Sequence, residues 1–117
     1  MERRLHERYP ANLDAQVSDI SAPNHIASGR IIDISHSGVC ALVPLDFPEG
    51  AIVRLKIADC SLFGHVIYCL HQEQSYRIGI EVVRVLVGES DLARLLNRVL
   101  AEEMSDTPGV SVYERAT

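Results

Sequence analysis

Arg4-Leu5-His6-Glu7-Arg8 places two guanidinium groups four residues apart, an RxxxR spacing. Downstream, Asp33-Ile34-Ser35-His36-Ser37-Gly38 reads DxSxxG: a carboxylate, a hydroxyl and a glycine turn between two apolar runs. A guanidinium is permanently charged, forks onto phosphate oxygens and stacks its plane on aromatic rings. A carboxylate accepts from paired N–H donors such as those on a guanine edge, and a serine hydroxyl donates or accepts. Together the segments supply what an anionic ligand with a purine-like edge requires. Each also has an ordinary reading. Arginines near a chain end are commonly solvated charge, and Asp, Ser and Gly all favour turns.

Composition bounds the alternatives. A chain of 117 residues reads as one domain. With no Trp, two Phe and four Tyr, its core must come mostly from Val, Ile, Leu and Ala. The formal net charge of -5 argues against bulk binding of a nucleic-acid polymer, which relies on a broad positive field. A local cluster can still oppose the global sign. Residues 1–9 carry three arginines, Arg3, Arg4 and Arg8, against two glutamates, whereas residues 86–117 carry six carboxylates against three arginines. Cys40, Cys60 and Cys69 make an odd count without CxxC spacing, so reduced thiols in a cytosol are the simple reading. Cys69 and His71 alone are too few for a zinc site, so no metal is expected. No targeting h-region and no membrane-length apolar run is present, which points to a soluble cytoplasmic protein without membrane insertion.

The elements that would position the two motifs follow from periodicity. Residues 1–11 are charged, lack apolar alternation and read as a flexible arm ending at Tyr9-Pro10. Leu13, Ala15 and Val17 alternate with Asp14 and Gln16 as a half-buried strand does. Ser21-Ala22-Pro23-Asn24 is turn chemistry. Residues 26–34 form a second strand, with Gly29 marking a bulge. Further strands fall at 39–43, 53–57, 62–70 and 76–82, separated by His36-Ser37-Gly38 and by a loop from Pro44 to Gly50. About six short strands without a βαβ rhythm imply an all-β antiparallel barrel or sandwich. Leu92, Leu95, Leu96, Val99 and Leu100 then make one stripe of an amphipathic helix, with Ser90 as N-cap and Asp91 in its first turn. Residues 105–117 are polar and read as a loose tail.

An RxxxR segment followed after one strand and a turn by DxSxxG resembles the PilZ family, receptors for the bacterial second messenger cyclic di-GMP. Tyr76-Arg77-Ile78-Gly79-Ile80-Glu81-Val82 is similar to that family's last-strand segment, and the terminal helix fits. The resemblance covers roughly residues 3–104, with every motif position present. It implies a six-stranded antiparallel β-barrel with a C-terminal α-helix, bounded by the arm (1–11) and the tail (105–117), with the barrel and helix at 12–104. It also implies that Arg4 and Arg8 hold the nucleotide's phosphates and guanines, with Asp33, Ser35 and Gly38 as the opposing wall. Arg3, next to the pair, sits where the family's residue is associated with binding one nucleotide or an intercalated two. The bland alternative leaves Arg3 in solvent.

The expected function is therefore that of a cyclic di-GMP sensor or adaptor, with no cofactor beyond that ligand. Its arm closes on the ligand, and it signals to an effector protein, since no output domain is visible in the chain. The alternative is a nucleotide-independent adaptor of the same fold. A nucleic-acid-binding barrel is disfavoured by charge and by the shortage of aromatics. No nucleophile has an adjacent His and orienting acid, so no enzyme is expected. His36 is read as facing solvent, Arg54 and Arg77 as lying on exposed strand faces, and Tyr9 as a packing anchor.

Overall fold

The computed structural model describes residues 8–101 and 113–115. In chain order the elements are β1 (Tyr9–Asp19), β2 (Ala22–Ser35), β3 (Gly38–Val43), β4 (Ile52–Ile57), β5 (Cys60–Gln72), β6 (Ser75–Val87), α1 (Asp91–Ala101) and β7 (Tyr113–Arg115). Hydrogen bonding runs β3-β2-β1-β4-β5-β6, and β6 returns to pair with β3. Six antiparallel strands thus close into a ring, the barrel rather than the sandwich. Closure leaves no open edge along the shared length of the strands. β7 adds in parallel to Val85–Val87, beyond the stretch of β6 that β3 covers.

The alternation read from the sequence is the inside/outside pattern of the barrel. Val53, Leu55 and Ile57 are buried while Arg54 and Lys56 are exposed, and Val17, Ile31, Ala41, Leu62, Ile78 and Ile80 complete the interior. Phe47, in the β3–β4 loop, is also fully buried. His25 meets its ring edge-on at 4.6 Å and donates from Nε2 to the Asp46 carbonyl at 2.7 Å. A loop residue therefore supplies one of the largest core side chains.

Several boundaries differ from the sequence reading. The strand begins at Tyr9, not after residue 11, because Tyr9 and Pro10 pair with Ile34 and Asp33. Proline is tolerated at this first stretch of a strand, and the register slips between Pro10 and Leu13. Residues 1–7 lie outside the described residues. Within the expected tail, 113–115 are a strand, while 102–112 and 116–117 lie outside the described residues. The first hairpin turns at Ile20-Ser21, not at Ser21–Asn24. Asp19 sets it: its Oδ1 accepts from the Ser21 amide at 2.9 Å and the Ser21 hydroxyl at 2.8 Å, a local side-chain bond that competes with strand pairing. Gly29 is not a bulge, since it pairs in register with Ala15. A side chain there would instead press on the Leu42 carbonyl of β3.

Gly38 matters in the same way, at the seam. It opens β3, opposite Glu81 of β6. A methyl group there would collide with the Ile80 carbonyl oxygen. No residue of the β2–β3 turn, Gly38 included, has a left-handed backbone. The motif glycine is thus demanded by strand approach, not by the bend.

The helix is held at its start. Ser90 caps it, its Oγ accepting from the Ala93 amide at 3.0 Å. Asp59, at the tip of the β4–β5 hairpin, accepts from the Glu89 amide (2.9 Å), the Ser90 amide (3.0 Å) and the Ser90 hydroxyl (2.6 Å). The bonds from Ser90, above all its hydroxyl, hold the Asp59 carboxyl below its ordinary range. Ala93, Leu96 and Leu100 are buried as α1 packs on β2 and β6. Leu95, expected in the buried stripe, is 51% exposed. The inward face is rotated toward Ala93, the small residue that lets the helix approach the sheet.

Gly38→Ala should destabilise the fold by about 1–3 kcal/mol in chemical denaturation, the range for overpacking a close contact. An unchanged midpoint would show that the seam has slack. Because Asp59 is lowered in the folded state, its contribution is present above the ordinary Asp range, about pH 4, and is lost as pH falls through the lower folded value. Asp59→Ala should therefore lower Tm at about pH 7 and narrow its gap to the unmodified protein at about pH 3. A gap independent of pH would assign the loss to something other than this carboxylate.

Candidate ligand-binding site

Strand register assembles the site. Asp33 of β2 pairs with Cys40 of β3, Cys40 with Gly79 of β6, and Gly79 with Tyr68 of β5. These four residues form one row across the outer wall of the barrel. Two residues along, Ser35, Gly38, Glu81 and His65 form the parallel row. Arg8 immediately precedes Tyr9, whose pairing with Ile34 sets it over the first row. A hollow lined by Arg8, Asp33, Ser35, Gly38, Cys40 and Tyr68 lies here. Its volume is about 70 Å³.

Arg8 of the first motif meets the second motif in this hollow. Arg8 Nη1 donates to Asp33 Oδ1 at 3.1 Å. The Arg8 side chain is 61% exposed, so this ion pair contributes at most about 1 kcal/mol and is easily exchanged for another partner. Ser35 Oγ accepts from the Ser37 amide at 3.3 Å and lies 3.0 Å from Ser37 Oγ, so its hydroxyl also shapes the turn. Arg3 and Arg4 lie outside the described residues.

The floor contains residues that the sequence reading did not assign to a site. Tyr68 lies across Gly79, where any side chain would strike its ring, and its hydroxyl is 3.5 Å from Cys40 Sγ. The hydrogen bond with Cys40, and then burial, raise the Tyr68 phenol above its ordinary range, while Arg77 and Arg8 pull it back down. At neutral pH it is therefore a neutral hydroxyl flanked by two guanidinium groups. Arg77 is half-buried rather than exposed: Nη1 donates to Cys40 Sγ at 3.8 Å, and its buried Nε has no hydrogen-bond partner among the described residues. A glycine at an outward position of β6 was the sequence signal for this floor. His36 also departs from expectation, since it is half-buried with both ring nitrogens away from solvent. Arg54 is exposed as expected, donating to Ser61 Oγ at 3.1 Å.

Beyond this wall, His71 stacks on Tyr76 at 4.7 Å. Among the described residues, no three His, Cys, Asp or Glu side chains converge as a metal site would require. No helix among them is long and apolar enough to cross a membrane.

Comparison with known proteins relates this architecture to others. In fold the chain is similar to the Bacillus subtilis inhibitor of motility MotI/DgrA, with a TM-score of 0.62 and 16% identity. That match covers 92% of this chain and 54% of MotI, so the chain spans about half of that protein's length. It is also similar to the PilZ domain of Escherichia coli YcgR, solved with c-di-GMP, with a TM-score of 0.56 and 17% identity over 91% of this chain and 99% of that one. A search of curated proteins returns no significant match. The PilZ domain family model matches residues 2–100, and the chain belongs to the PilZ family.

Proposed function

We propose that this PilZ domain binds cyclic di-GMP on the wall formed by β2, β3, β6 and β5 and passes the signal to an effector protein in the cytoplasm. The observation that carries the reading is the Arg8–Asp33 contact at 3.1 Å, which brings the last arginine of the first motif to the carboxylate of the second at one hollow. YcgR, similar in fold, was solved with that ligand.

The ligand's chemistry suits the wall. Its guanine N1–H and exocyclic amine are paired donors for Asp33. The ligand's phosphates and guanine rings compete for Arg8, and because the exposed Arg8–Asp33 pair is weak, exchange is inexpensive. Ser35 adds a hydroxyl at the edge, and Gly38 keeps the wall flat beside it. Tyr68 supplies an aromatic face and Arg77 a second guanidinium behind the floor. In this reading the segment ahead of β1 acts as the arm, with Arg4 and Arg3 joining Arg8 on the ligand, and the barrel with its helix is the body against which it closes. The altered surface is what the effector reads.

Calorimetric titration with cyclic di-GMP tests this directly. Arg8→Ala should weaken binding by about 1.5–3 kcal/mol, the range for a charge-assisted hydrogen bond, while changing stability little. Unchanged affinity would remove Arg8 from the site, and no binding by the unmodified protein would leave a nucleotide-independent adaptor. Stoichiometry tests Arg3. Two stacked cyclic dinucleotides carry four negative charges, which a third guanidinium helps neutralise. Two nucleotides should bind per chain at saturation, falling toward one in Arg3→Leu. A ratio of one in the unmodified protein would leave Arg3 a solvated charge.

A further inference from the structure

The outer side of α1 has a pattern that docking to the barrel does not explain. Ala93, Leu96 and Leu100 already bury the helix against the sheet. Leu92, Leu95 and Val99 recur at i, i+3 and i+7, the spacing of a helix–helix seam, on a different side. Leu95, at the centre of this second stripe, is 51% exposed, and Leu92 and Val99 are part-buried. Together with Tyr9, Pro10 and Ala11 of β1 they line an apolar groove of about 400 Å³ beside the helix. Asp91 and Arg98 stand along one edge of the stripe, seven residues apart and both exposed. Asp91 also lies 3.8 Å from Arg94 in the same exposed turn.

We propose that this face pairs with α1 of a second copy of the chain, antiparallel across a two-fold axis beside Leu95. In that arrangement the first turn of each helix lies against the last turn of the other. Asp91 of one copy meets Arg98 of the other, and the same pair repeats across the axis, as an isologous contact requires. Leu95 of each copy enters the groove beside the other helix, a knob in a hole. A parallel pair is disfavoured, because it would set Asp91 beside Asp91 and Arg98 beside Arg98. One short helix and one groove make a small interface, so the dimer is a weak, concentration-dependent one. The inference stands apart from nucleotide binding.

Sedimentation equilibrium of the full chain without nucleotide, up to about 1 mM, the weak end of measurable pairing, reads it out. The unmodified protein should go from monomer to dimer over that range, and Leu95→Glu should stay monomeric. Asp91→Arg leaves two cations on the seam edge, and Arg98→Asp leaves two carboxylates. Each variant alone should lose at least tenfold in association, whereas a mixture of the two should form a one-to-one heterodimer. Both changes are at exposed positions, and circular dichroism checks that each variant is folded. An unmodified protein that stays monomeric throughout would overturn the proposal. If Leu95→Glu then also lowers Tm, the groove is covered by the chain's own residues instead. Charge variants that each dimerise as well as the unmodified protein, or that fail to pair when mixed, would overturn the antiparallel contact.

Discussion

Closure of the barrel rests on the pairing of β3 with β6, which opens where Gly38 lets the Ile80 carbonyl come close. β1, β2 and β3 form one meander and β4, β5 and β6 another, joined at β1–β4 on one side and at β3–β6 on the other. Without the second junction the ring is an open sheet with two unpaired edges. The seam also continues the row from Asp33 and Cys40 across to Gly79 and Tyr68. The contact that completes the fold therefore also completes the wall on which a ligand would lie.

That wall combines fixed and adaptable parts. Cys40, Gly79 and Tyr68 are set by pairing register and by packing of the ring over a glycine. Arg8 is different: it stands at the lip of β1, exposed, and holds Asp33 through a contact that solvent screens heavily. The wall thus pairs a floor fixed by register with an exposed, exchangeable cation at its rim. The start of the helix is fastened by three hydrogen bonds to Asp59.

Most of this was legible where periodicity or spacing carries information. Alternation at Val53, Leu55 and Ile57 marked inward positions, since a pleated strand over one core must alternate. Ser90 was legible as a cap because the helix stripe starts just after it. What periodicity does not encode was missed. Phe47 enters the core from a loop, where no repeat marks it. Gly29 and Gly38 read as bulge and bend, but Gly29 answers to its hairpin neighbour β3 and Gly38 to β6 across the closed ring. Arg77 and Tyr68 became parts of the site through cross-strand neighbours on β3 and β6. Leu95 fell on the predicted stripe, but small Ala93 turned the helix away from it. In the site itself, residue types announced Arg8, Asp33 and Ser35, whereas the floor beneath them depended on register.

The seam has a kinetic side as well. Gly38 and Glu81 face each other only after the chain between them has been gathered in, and non-local pairings of this kind are among the slow events of β-protein folding. Each meander can form from neighbouring hairpins, but Asp33 and Cys40 belong to one and Gly79 and Tyr68 to the other. A half-assembled chain has no complete row to offer. Anything that binds across the row stabilises the finished ring over every opened form by mass action, so occupancy and integrity of the barrel are thermodynamically linked.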